Sequence, residues 1–329
     1  MQQGLLIGVD GGGTHSVAVA AYPNGKVAAA AHGGGLNYHN VGISLVRRRL
    51  ESLVSRLCRQ CGEERVLKVC VGMSALDQPA DRGTLSHFTG GSLTADQLDL
   101  QSDAYIALMG LTQGRPGIIV ISGTGSMVLL MDAQGRQHAS GGWGYLLGDA
   151  GSGYTLAREG LLSVIDEAEG LGGSTRLTEH ALAYFHTDNP RGLIDRIYDR
   201  RTAPDQFAGF ARWVLEEAGG GDEAAVAVVS RNMERLARQT AALARQEPLA
   251  YRVGLYGGVF RHSALARGLF EQNLIRLMPR AQVCLPAYPP ELGAIIHLLQ
   301  GEGSLAEDVL SRMKSTYEVL CHDCRESIL

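Results

Sequence analysis

Short apolar runs separated by turn residues open the chain, and this pattern predicts a β-meander. The runs Leu5–Val9, Val17–Ala21 and Val27–Ala31 are interrupted by glycines 11–13 and by a Pro-Asn-Gly turn at 23–25. Apolar runs of this length, bounded by glycine, proline and asparagine, are typical of strands. The chain is therefore expected to begin with three strands joined by tight connections.

Helical and strand patterns alternate after the meander. Leucines and valines at helical spacing predict an amphipathic helix over Ile43–Arg59. Two buried strands are predicted at Leu67–Gly72 and Leu98–Gln101, followed by a helix over Ala104–Leu111. A meander followed by alternating helices and strands indicates an α/β fold with a mixed sheet flanked by helices.

The pattern starts again after the segment Gln113–Gly117, which has the composition of a domain boundary. Strands are predicted at Ile118–Ser122 and Met127–Met131, and residues 154–245 are mainly helical. The remaining predicted elements are Arg252–Tyr256, Ser263–Leu277, Gln282–Leu285, a helix from Glu291, and a last helix over Leu305–Lys314. Both halves open with a strand, a glycine-threonine turn and a second strand, so they form a repeat at the level of topology.

Composition and charge exclude several classes of protein. The 329 residues include 30 Lys and Arg against 34 Asp and Glu, and 45% are hydrophobic. Such a chain is globular and long enough for two domains. Its near-neutral charge argues against nucleic acid or a membrane as the main partner. No apolar run reaches the length of about 18 residues that crosses a bilayer. The N-terminus also lacks the basic region of a signal peptide, so we expect a soluble, cytoplasmic protein.

The six cysteines include two pairs with the spacing of metal ligands, Cys58 with Cys61 and Cys321 with Cys324. The pairs lie far apart in the chain, whereas zinc ribbons place theirs about 15–20 residues apart. Free thiols in a reducing compartment are therefore the better interpretation.

Glycine is the unusual feature of the composition, with 43 residues where an average chain has about 7%. Two glycine clusters follow apolar strands and end in threonine or serine. These are Gly11, Gly12, Gly13 and Thr14 in the first half, and Gly123, Thr124 and Gly125 in the second. Backbone N–H groups that point into such turns suit phosphate oxygens, although each turn alone is also compatible with an ordinary hairpin.

Two aspartates accompany the first half of this pattern. Asp10 ends the first strand and is suited to hold Mg²⁺ through water. Asp103 follows a predicted strand and precedes a helix, a position where aspartate serves either as a helix cap or as a base that accepts a proton during phosphoryl transfer.

Two further glycine clusters carry candidate binding residues. The stretch from Gly141 to Gly153 contains Asp149, which either accepts hydrogen bonds from substrate hydroxyls or is an exposed loop residue. Gly257 and Gly258 follow a strand, where positions without side chains admit a flat ring or form a plain turn.

Several familiar motifs are absent from the sequence. There is no GxxxxGK[ST], no GxGxxG, no HExxH and no GxSxG. P-loop, Rossmann, zinc-protease and hydrolase-elbow chemistry are therefore unsupported.

In order along the chain, the segments VDGGGTHS, GLNYHNVG, QSDAYIA, ISGTGS, GGWGYLLGDAGSGY and LYGGVFRHSALA resemble the N-acetylglucosamine kinase family. That family belongs with the BadF-type ATPases in the actin-like ATPase and sugar-kinase superfamily. The resemblance implies two actin-like (ribonuclease H-like) domains with an ATP cleft. They would comprise residues 1–115 and 116–292, with helices in 293–329 returning to the first domain.

The resemblance also implies roles for individual residues. The two glycine-threonine turns match the phosphate motifs, and Gly257 with Gly258 match the adenosine motif. Asp103 matches the catalytic aspartate that faces the sugar 6-hydroxyl, while Asn37, Gly142 and Asp149 match positions that line the sugar. ATP and Mg²⁺ are the implied cofactors, and a homodimer is the implied assembly.

The sequence hypothesis is therefore a kinase that phosphorylates the 6-hydroxyl of N-acetylglucosamine. Glucosamine or N-acetylmuramic acid kinase is the close alternative, because the motifs do not separate these sugars. An ATP-driven electron-transfer activator is disfavoured, since no cysteine lies between Cys70 and Cys284 to hold an iron–sulfur cluster. A sugar sensor without catalysis is disfavoured by the presence of Asp10 and Asp103.

Overall fold

The computed structural model describes residues 4–74, 76, 80–89, 93–199, 203–245, 251–301, 303 and 305–326. The chain divides into two compact units. Unit 1 combines residues Met1–Arg115 with Pro286–Leu329, and unit 2 consists of Pro116–Leu285. The first unit is therefore built from both ends of the chain.

Unit 1 begins with strands that carry the predicted meander. Its elements are β1 (Leu5–Gly11), β2 (His15–Ala21), β3 (Val27–Gly34), α1 (Tyr38–Val41), α2 (Ile43–Cys61), β4 (Val66–Met73), α3 (Arg82–Phe88), β5 (Leu98–Ser102), α4 (Asp103–Thr112), α13 (Pro290–Gly301) and α14 (Glu307–Glu326). The helix α2 has the predicted amphipathic pattern, and its buried positions include Val46, Leu50 and Leu57.

The sheet of unit 1 is mixed, with strand order β3-β2-β1-β4-β5. The meander strands pair antiparallel, whereas β1 pairs parallel with β4 and β4 parallel with β5. One face of the sheet packs against α2 in a core of aliphatic side chains that includes Leu5, Ile7 and Val71. Because β1, β4 and β5 are parallel, their carboxyl ends meet at one edge, which is where Asp10 and Asp103 lie.

The helix α13 lies against α4 and β1 at distances that only glycine allows. A Cβ on Gly293 would lie 1.8 Å from the carbonyl oxygen of Ile106, and one on Gly110 would lie 2.4 Å from that of Tyr288. A Cβ on Gly8 in β1 would lie 2.2 Å from the carbonyl oxygen of Glu291. These contacts fix the first turn of α13 above β1, the strand that carries Asp10 near its end.

Unit 2 consists of a second sheet and a large set of helices. Its elements are β6 (Gly117–Ser122), β7 (Ser126–Met131), β8 (Gln137–Gly141), α5 (Gly153–Glu169), α6 (Leu177–Phe185), α7 (Leu193–Ile197), α8 (Pro204–Ala208), α9 (Ala211–Gly219), α10 (Glu223–Ala244), β9 (Arg252–Tyr256), α11 (Gly258–His262), α12 (Ala264–Leu277) and β10 (Gln282–Cys284). A short 3-10 turn lies at Pro190–Gly192.

The sheet of unit 2 repeats the topology of unit 1, with strand order β10-β9-β6-β7-β8. Again the first three strands are antiparallel neighbours, and the last two pair parallel. This agreement confirms the predicted α/β class and the repeat of strand, glycine turn and strand. The core of unit 2 joins the sheet to helices α5, α6, α9, α10 and α12.

The structure also contains elements that the hydrophobic pattern did not predict. The strand β8 was missed because its residues are only half-buried, and α3 because it is short and polar. The last helix, α14, runs to Glu326 and not only to Lys314. The glycines at 219–221 end α9 and lead into Asp222, which caps α10 by accepting a hydrogen bond from the amide of Ala225.

Among the described residues the structure contains no group of three or more His, Cys, Asp or Glu arranged to hold a metal. Cys58, Cys61, Cys70 and Cys284 are free thiols, and burial raises the pKa of the first three. The side chains of Cys321 and Cys324 lie outside the described residues. None of the described helices combines the length and the hydropathy needed to span a bilayer.

We expect Gly293→Ala to destabilise unit 1 strongly, because the new methyl group would overlap the Ile106 carbonyl. Overpacking of this kind costs about 1–3 kcal/mol or more. The measurement is the thermal unfolding midpoint. Gly268→Ala is the matched control: Gly268 lies inside α12 with open space around its Cβ position, so alanine there is expected to be neutral or stabilising by up to about 1 kcal/mol. Equal midpoints for the two variants would contradict the close helix contact.

Candidate active site

The first glycine turn joins β1 to β2 and is shaped by close backbone contacts. A Cβ on Gly35 would lie 2.1 Å from the carbonyl oxygen of Gly13, so the segment after β3 packs directly on this turn. The amide of Leu36 donates to the carbonyl of Gly12 at 3.0 Å. The Thr14 hydroxyl lies 2.9 Å from Nδ1 of His15. Gly13 and Thr14 are exposed, so the backbone of this turn is accessible to a ligand.

Asn37 lies beside the same turn in unit 1. It caps α1, since its Oδ1 accepts from the amide of His39 at 3.0 Å, and its Nδ2 donates to the hydroxyl of Ser74 at 3.3 Å. The amide of Ser74 in turn donates to the carbonyl of Gly11. The structure therefore links this predicted sugar-binding residue to the first glycine turn through one intermediate residue.

Asp10 lies at the end of β1, largely buried, in a strongly acidic environment. Burial raises the pKa of its carboxyl group to about 7, and the charges of Glu291 and Asp103 act in the same direction. Glu291, in the first turn of α13, accepts a hydrogen bond from the hydroxyl of Tyr317, and burial raises its pKa as well. Burying several carboxylates close together is unfavourable in free energy, so such a site suits a positively charged ligand.

Asp103 is the first residue of α4, but it is not the residue that caps this helix. The cap is Ser102, whose side chain accepts from the amide of Tyr105 at 3.1 Å. The Oδ1 atom of Asp103 accepts from the amide of Ala104 at 2.7 Å. The capping interpretation of Asp103 is thus replaced by a carboxylate at a helix N-terminus, within electrostatic reach of Asp10.

The second glycine turn joins β6 to β7 and is held by the glycine-rich segment that follows β8. The amide of Gly153 donates to the carbonyl of Gly123 at 2.7 Å, and the hydroxyls of Ser122 and Ser126 donate to the carbonyls of Gly151 and Ala150. These bonds bring two sequence-predicted motifs together within unit 2.

Asp149 occupies this segment in a strained conformation with a φ of 60°. It is only 6% exposed. Its Oδ2 atom lies so close to Gly125 that a Cβ on this glycine would be 2.8 Å away. Burial raises the pKa of its carboxyl group, although hydrogen bonds from the backbone of Ser126 and Gly144 act in the opposite direction. Its Oδ1 has no hydrogen-bond partner among the described residues. A strained backbone and an unsatisfied buried oxygen are typical of a functional site.

Gly142 and its neighbours form an exposed part of the same segment. Gly142 has a φ of 70° and donates its amide to the carbonyl of Ser126 at 3.0 Å. The side chains that follow it, Trp143, Leu146 and Leu147, are 74–82% exposed. Exposed apolar groups beside a buried carboxylate are compatible with ligand contact in this segment.

A cavity of about 810 Å³ in unit 2 extends from the second glycine turn to the glycine pair after β9. Its lining residues are Gly123, Thr124, Gly153, Ala208, Gly209, Ala211, Arg212, Leu215, Glu216, Gly258, Val259 and His262. Glycines and small apolar side chains leave space for a flat ring, and the polar groups at the rim are able to fix its orientation.

The two residues of the glycine pair have different roles. Gly257 has a φ of 105°, and a Cβ there would lie 2.2 Å from the carbonyl oxygen of Ser122, so it supports the second turn from behind. Gly258 begins α11 and has open space at its Cβ position. Only Gly258 therefore faces the cavity.

Several site residues escaped the sequence analysis. Glu291 was predicted only as the start of a helix, and Gly35, in the glycine triplet at 33–35, was not among the predicted site residues. The wall formed by α8 and α9, including Arg212 and Glu216, carries no motif. The glycine triplet before Asn37 is the sequence signal that could have identified Gly35. The wall of the cavity has no such signal, because it depends on how the helices of unit 2 pack.

The carboxylates of unit 1 fit a magnesium ion in part. Mg²⁺ prefers oxygen ligands and is commonly bound by one or two carboxylates together with water and substrate phosphates. Asp10 and Asp103 supply such oxygens next to the first glycine turn, and a dication would offset both the burial and the repulsion that raise the pKa of Asp10.

Two five-stranded mixed sheets of the same topology, each with a glycine turn after its first strand, define the fold of the actin-like ATPases and sugar kinases. The chain belongs to the BadF/BadG/BcrA/BcrD ATPase family, which it matches over residues 7–297. Both the predicted fold class and the predicted family are confirmed.

Named relatives cover most of the chain. It is 28% identical over 325 residues to the N-acetyl-D-glucosamine kinase of Dictyostelium discoideum, covering 92% of this chain and 100% of that one. It is 29% identical to the N-acetylmuramic acid/N-acetylglucosamine kinase of Clostridium acetobutylicum, covering 66% of this chain and 72% of that one.

Among solved structures, a proposed N-acetylglucosamine kinase from Chromobacterium violaceum has a TM-score of 0.74 at 27% identity, covering 90% of this chain and 99% of that one. A ROK family glucokinase from Streptomyces griseus, solved with glucose and AMPPNP, has a TM-score of 0.59 at 18% identity, covering 91% and 100%. The second similarity is one of fold alone.

We expect Gly258→Leu to fill the cavity of unit 2 without disturbing the fold, because no atom beyond its chain neighbours and its own helix backbone lies within 4 Å of its Cβ position. A nucleotide that uses this cavity should then bind at least about tenfold more weakly, a change of about 1.4 kcal/mol. Isothermal titration with an ATP analogue measures the affinity, and the unfolding midpoint of the ligand-free variant checks the fold. Unchanged affinity would place the nucleotide elsewhere.

We expect Asp10→Asn to stabilise the ligand-free protein near pH 8. The folded-state pKa of about 7 lies above the ordinary value of 3.8, so the wild-type carboxyl group costs stability progressively as pH rises from about 4 to 7. The amide has no charge to bury, and the gain at pH 8 should be on the order of 2–4 kcal/mol.

The measurement is the unfolding midpoint of both proteins from pH 4 to pH 8, with the exposed Asp195→Asn as control. The advantage of Asp10→Asn should grow with pH and level off above pH 7. An advantage that is independent of pH would contradict the assigned environment.

Proposed function

We propose that this protein is an ATP-dependent amino-sugar kinase that transfers a phosphoryl group to the 6-hydroxyl of N-acetylglucosamine. The observation that carries the proposal is the position of Asp103. Its carboxylate stands at the start of α4, is not the helix cap, and interacts with Asp10 beside a glycine turn. The relatives named above as amino-sugar kinases support the same class of reaction.

The reaction needs a base for the sugar hydroxyl and donors for the phosphates. Asp103 would accept the hydroxyl proton as the sugar oxygen forms its bond to the γ-phosphorus and the bond to the β-phosphate oxygen of ATP breaks. The turns Gly11–Thr14 and Gly123–Gly125 would bind phosphate oxygens through their amides and the hydroxyls of Thr14 and Thr124. Mg²⁺, held by Asp10 through water, would neutralise charge on the phosphates.

Sugar binding is assigned to Asn37, Gly142 and Asp149. The free Oδ1 of Asp149 is an acceptor that a sugar hydroxyl would satisfy, and this would recover the free energy that its burial costs. Adenosine is assigned to the cavity that Gly258 lines, with Gly257 supporting its edge.

An ADP-release assay across related sugars tests the proposal. N-acetylglucosamine, glucosamine, N-acetylmuramic acid, N-acetylmannosamine and glucose should be compared at equal concentration. The highest kcat/KM is expected for N-acetylglucosamine. A preference for glucosamine would favour the activity for which a relative from Vibrio cholerae is named, to which the chain is 26% identical. Absence of turnover with every sugar would contradict the kinase assignment.

We expect Asp103→Asn to abolish turnover while sugar binding is retained, because the amide keeps the shape of the carboxylate but accepts no proton. A loss of at least about a hundredfold in kcat is expected from removal of a general base. Calorimetric titration with N-acetylglucosamine measures binding, and Asp195→Asn serves as control. Near-normal turnover would remove Asp103 from its assigned role.

The alternatives and the assembly have their own tests. An electron-transfer activator would contain iron, so metal analysis of the purified protein tests this alternative. In the sequence of unit 2, Cys284 is the only cysteine that could bind an iron–sulfur cluster. A non-catalytic sensor would bind sugar without releasing ADP. The homodimer and the cytoplasmic location stay predictions, and light scattering of the purified protein tests the first.

A further inference from the structure

A chain of three polar side chains in unit 1 joins the strand, the helix and the returning helix that surround Asp103. The hydroxyl of Tyr105 in α4 lies 3.0 Å from Nδ1 of His297 in α13. The other ring nitrogen, Nε2, lies 2.8 Å from Oδ2 of Asp99 in β5. Nε2 of Gln101 donates to the second carboxylate oxygen of Asp99 at 2.7 Å. The proposed reaction uses none of these residues, although Gln101 and Tyr105 lie in the QSDAYIA segment.

The chemistry of the groups gives the chain a direction. The Asp99 carboxylate only accepts hydrogen bonds, and although burial raises its pKa, the interactions with His297, Gln101 and Lys68 together lower it. Nε2 of His297 must therefore carry the hydrogen. Burial raises the pKa of Tyr105 to about 12, so its hydroxyl is protonated at neutral pH and can donate to Nδ1.

The hydrogen bonds that join Asp99, His297 and Tyr105 fix the rotation of α4 at the turn that bears Asp103. Tyr105 follows Asp103 by two positions, which places the two side chains on different sides of the helix. On one side α4 rests on β4, since a Cβ on Gly72 would lie 2.2 Å from Ile106 and 3.2 Å from the Cα of Asp103. The hydrogen bond to Tyr105 adds a directional constraint on the other side of the helix.

We propose that the Asp99–His297–Tyr105 chain is a positioning device that holds the carboxylate of Asp103 in its reactive orientation. The proposal rests on the proposed function for the identity of the reacting group. The residues of the chain do not touch the reacting atoms, and their effect passes through the backbone of α4. A displacement of about 1 Å at a reacting group can cost a hundredfold in rate, so loss of this constraint should appear in kcat.

A cavity of about 740 Å³ borders the chain and makes a specific rescue experiment possible. Both Tyr105 and His297 line it. If His297 is replaced by alanine, free imidazole has a route to the vacated position, where it can contact Tyr105 and Asp99 again. Such rescue is not expected from a residue that contributes only bulk packing.

The experiment compares Tyr105→Phe and His297→Ala with wild type, each in the full chain. We expect kcat to fall at least about tenfold while KM for sugar and for ATP changes by less than about threefold. Imidazole should restore kcat in His297→Ala and leave Tyr105→Phe unchanged. Tyr288→Phe, which removes another buried hydroxyl of unit 1, is the control and should retain wild-type kcat.

Unchanged kcat in both variants, or no response to imidazole in a folded His297→Ala, would overturn the proposal. If wild type turns over no amino sugar, the proposed function fails, and hydrogen exchange then judges the positioning claim separately. Amides in the first turn of α4 should exchange faster in His297→Ala and slow again with imidazole. Exchange rates equal to wild type would overturn the claim.

Discussion

The close approach of backbone to backbone at a few glycines is the constraint on which both candidate ligand sites depend. Gly35 packs on the first glycine turn, Gly257 supports the second, and Gly293 brings α13 against α4. In each case a single methyl group would overlap a carbonyl oxygen. Because the strands of each sheet are short and end at one edge, these contacts determine which amides and side chains are available there. Glycine contributes here through what its missing side chain allows, not through flexibility.

The carboxylates of unit 1 and Asp149 of unit 2 show a second physical theme, which is binding capacity maintained at a cost to stability. Asp10, Glu291 and Asp149 all have raised pKa values, because burial disfavours their charged forms. A protein selected for stability alone would replace such groups with neutral ones. Their retention is understandable if a cation and sugar hydroxyls supply the missing interactions. Asp132 is a useful contrast: it is buried too, but hydrogen bonds from Arg136 and His138 lower its pKa. It thus stabilises a turn.

Most of the fold was predictable because its strands and its longest helices have strong hydrophobic periods. The glycine-threonine turns were also visible, since their residue types repeat at corresponding places. The prediction was incomplete where burial is partial, as for the half-buried strand β8, and where a helix is short and polar, as for α3. Asp103 could be placed at a helix start from its neighbours, but whether it or Ser102 capped the helix depended on side-chain geometry. The wall of the unit 2 cavity was not predictable, because it consists of ordinary residues on α8 and α9.

The sequence by itself determined the class of this protein, the positions of most of its strands along the chain and the residue types at its turns, because local periodicity and glycine placement act over a few residues. Its resemblance to a known family identified Asp103, Asn37 and Asp149 as candidates. Only the tertiary structure placed Glu291 beside Asp10, joined Tyr105 through His297 to Asp99, and separated the roles of Gly257 and Gly258. These relations connect residues up to 281 positions apart, and they arise from helix packing, which no local pattern in the chain encodes.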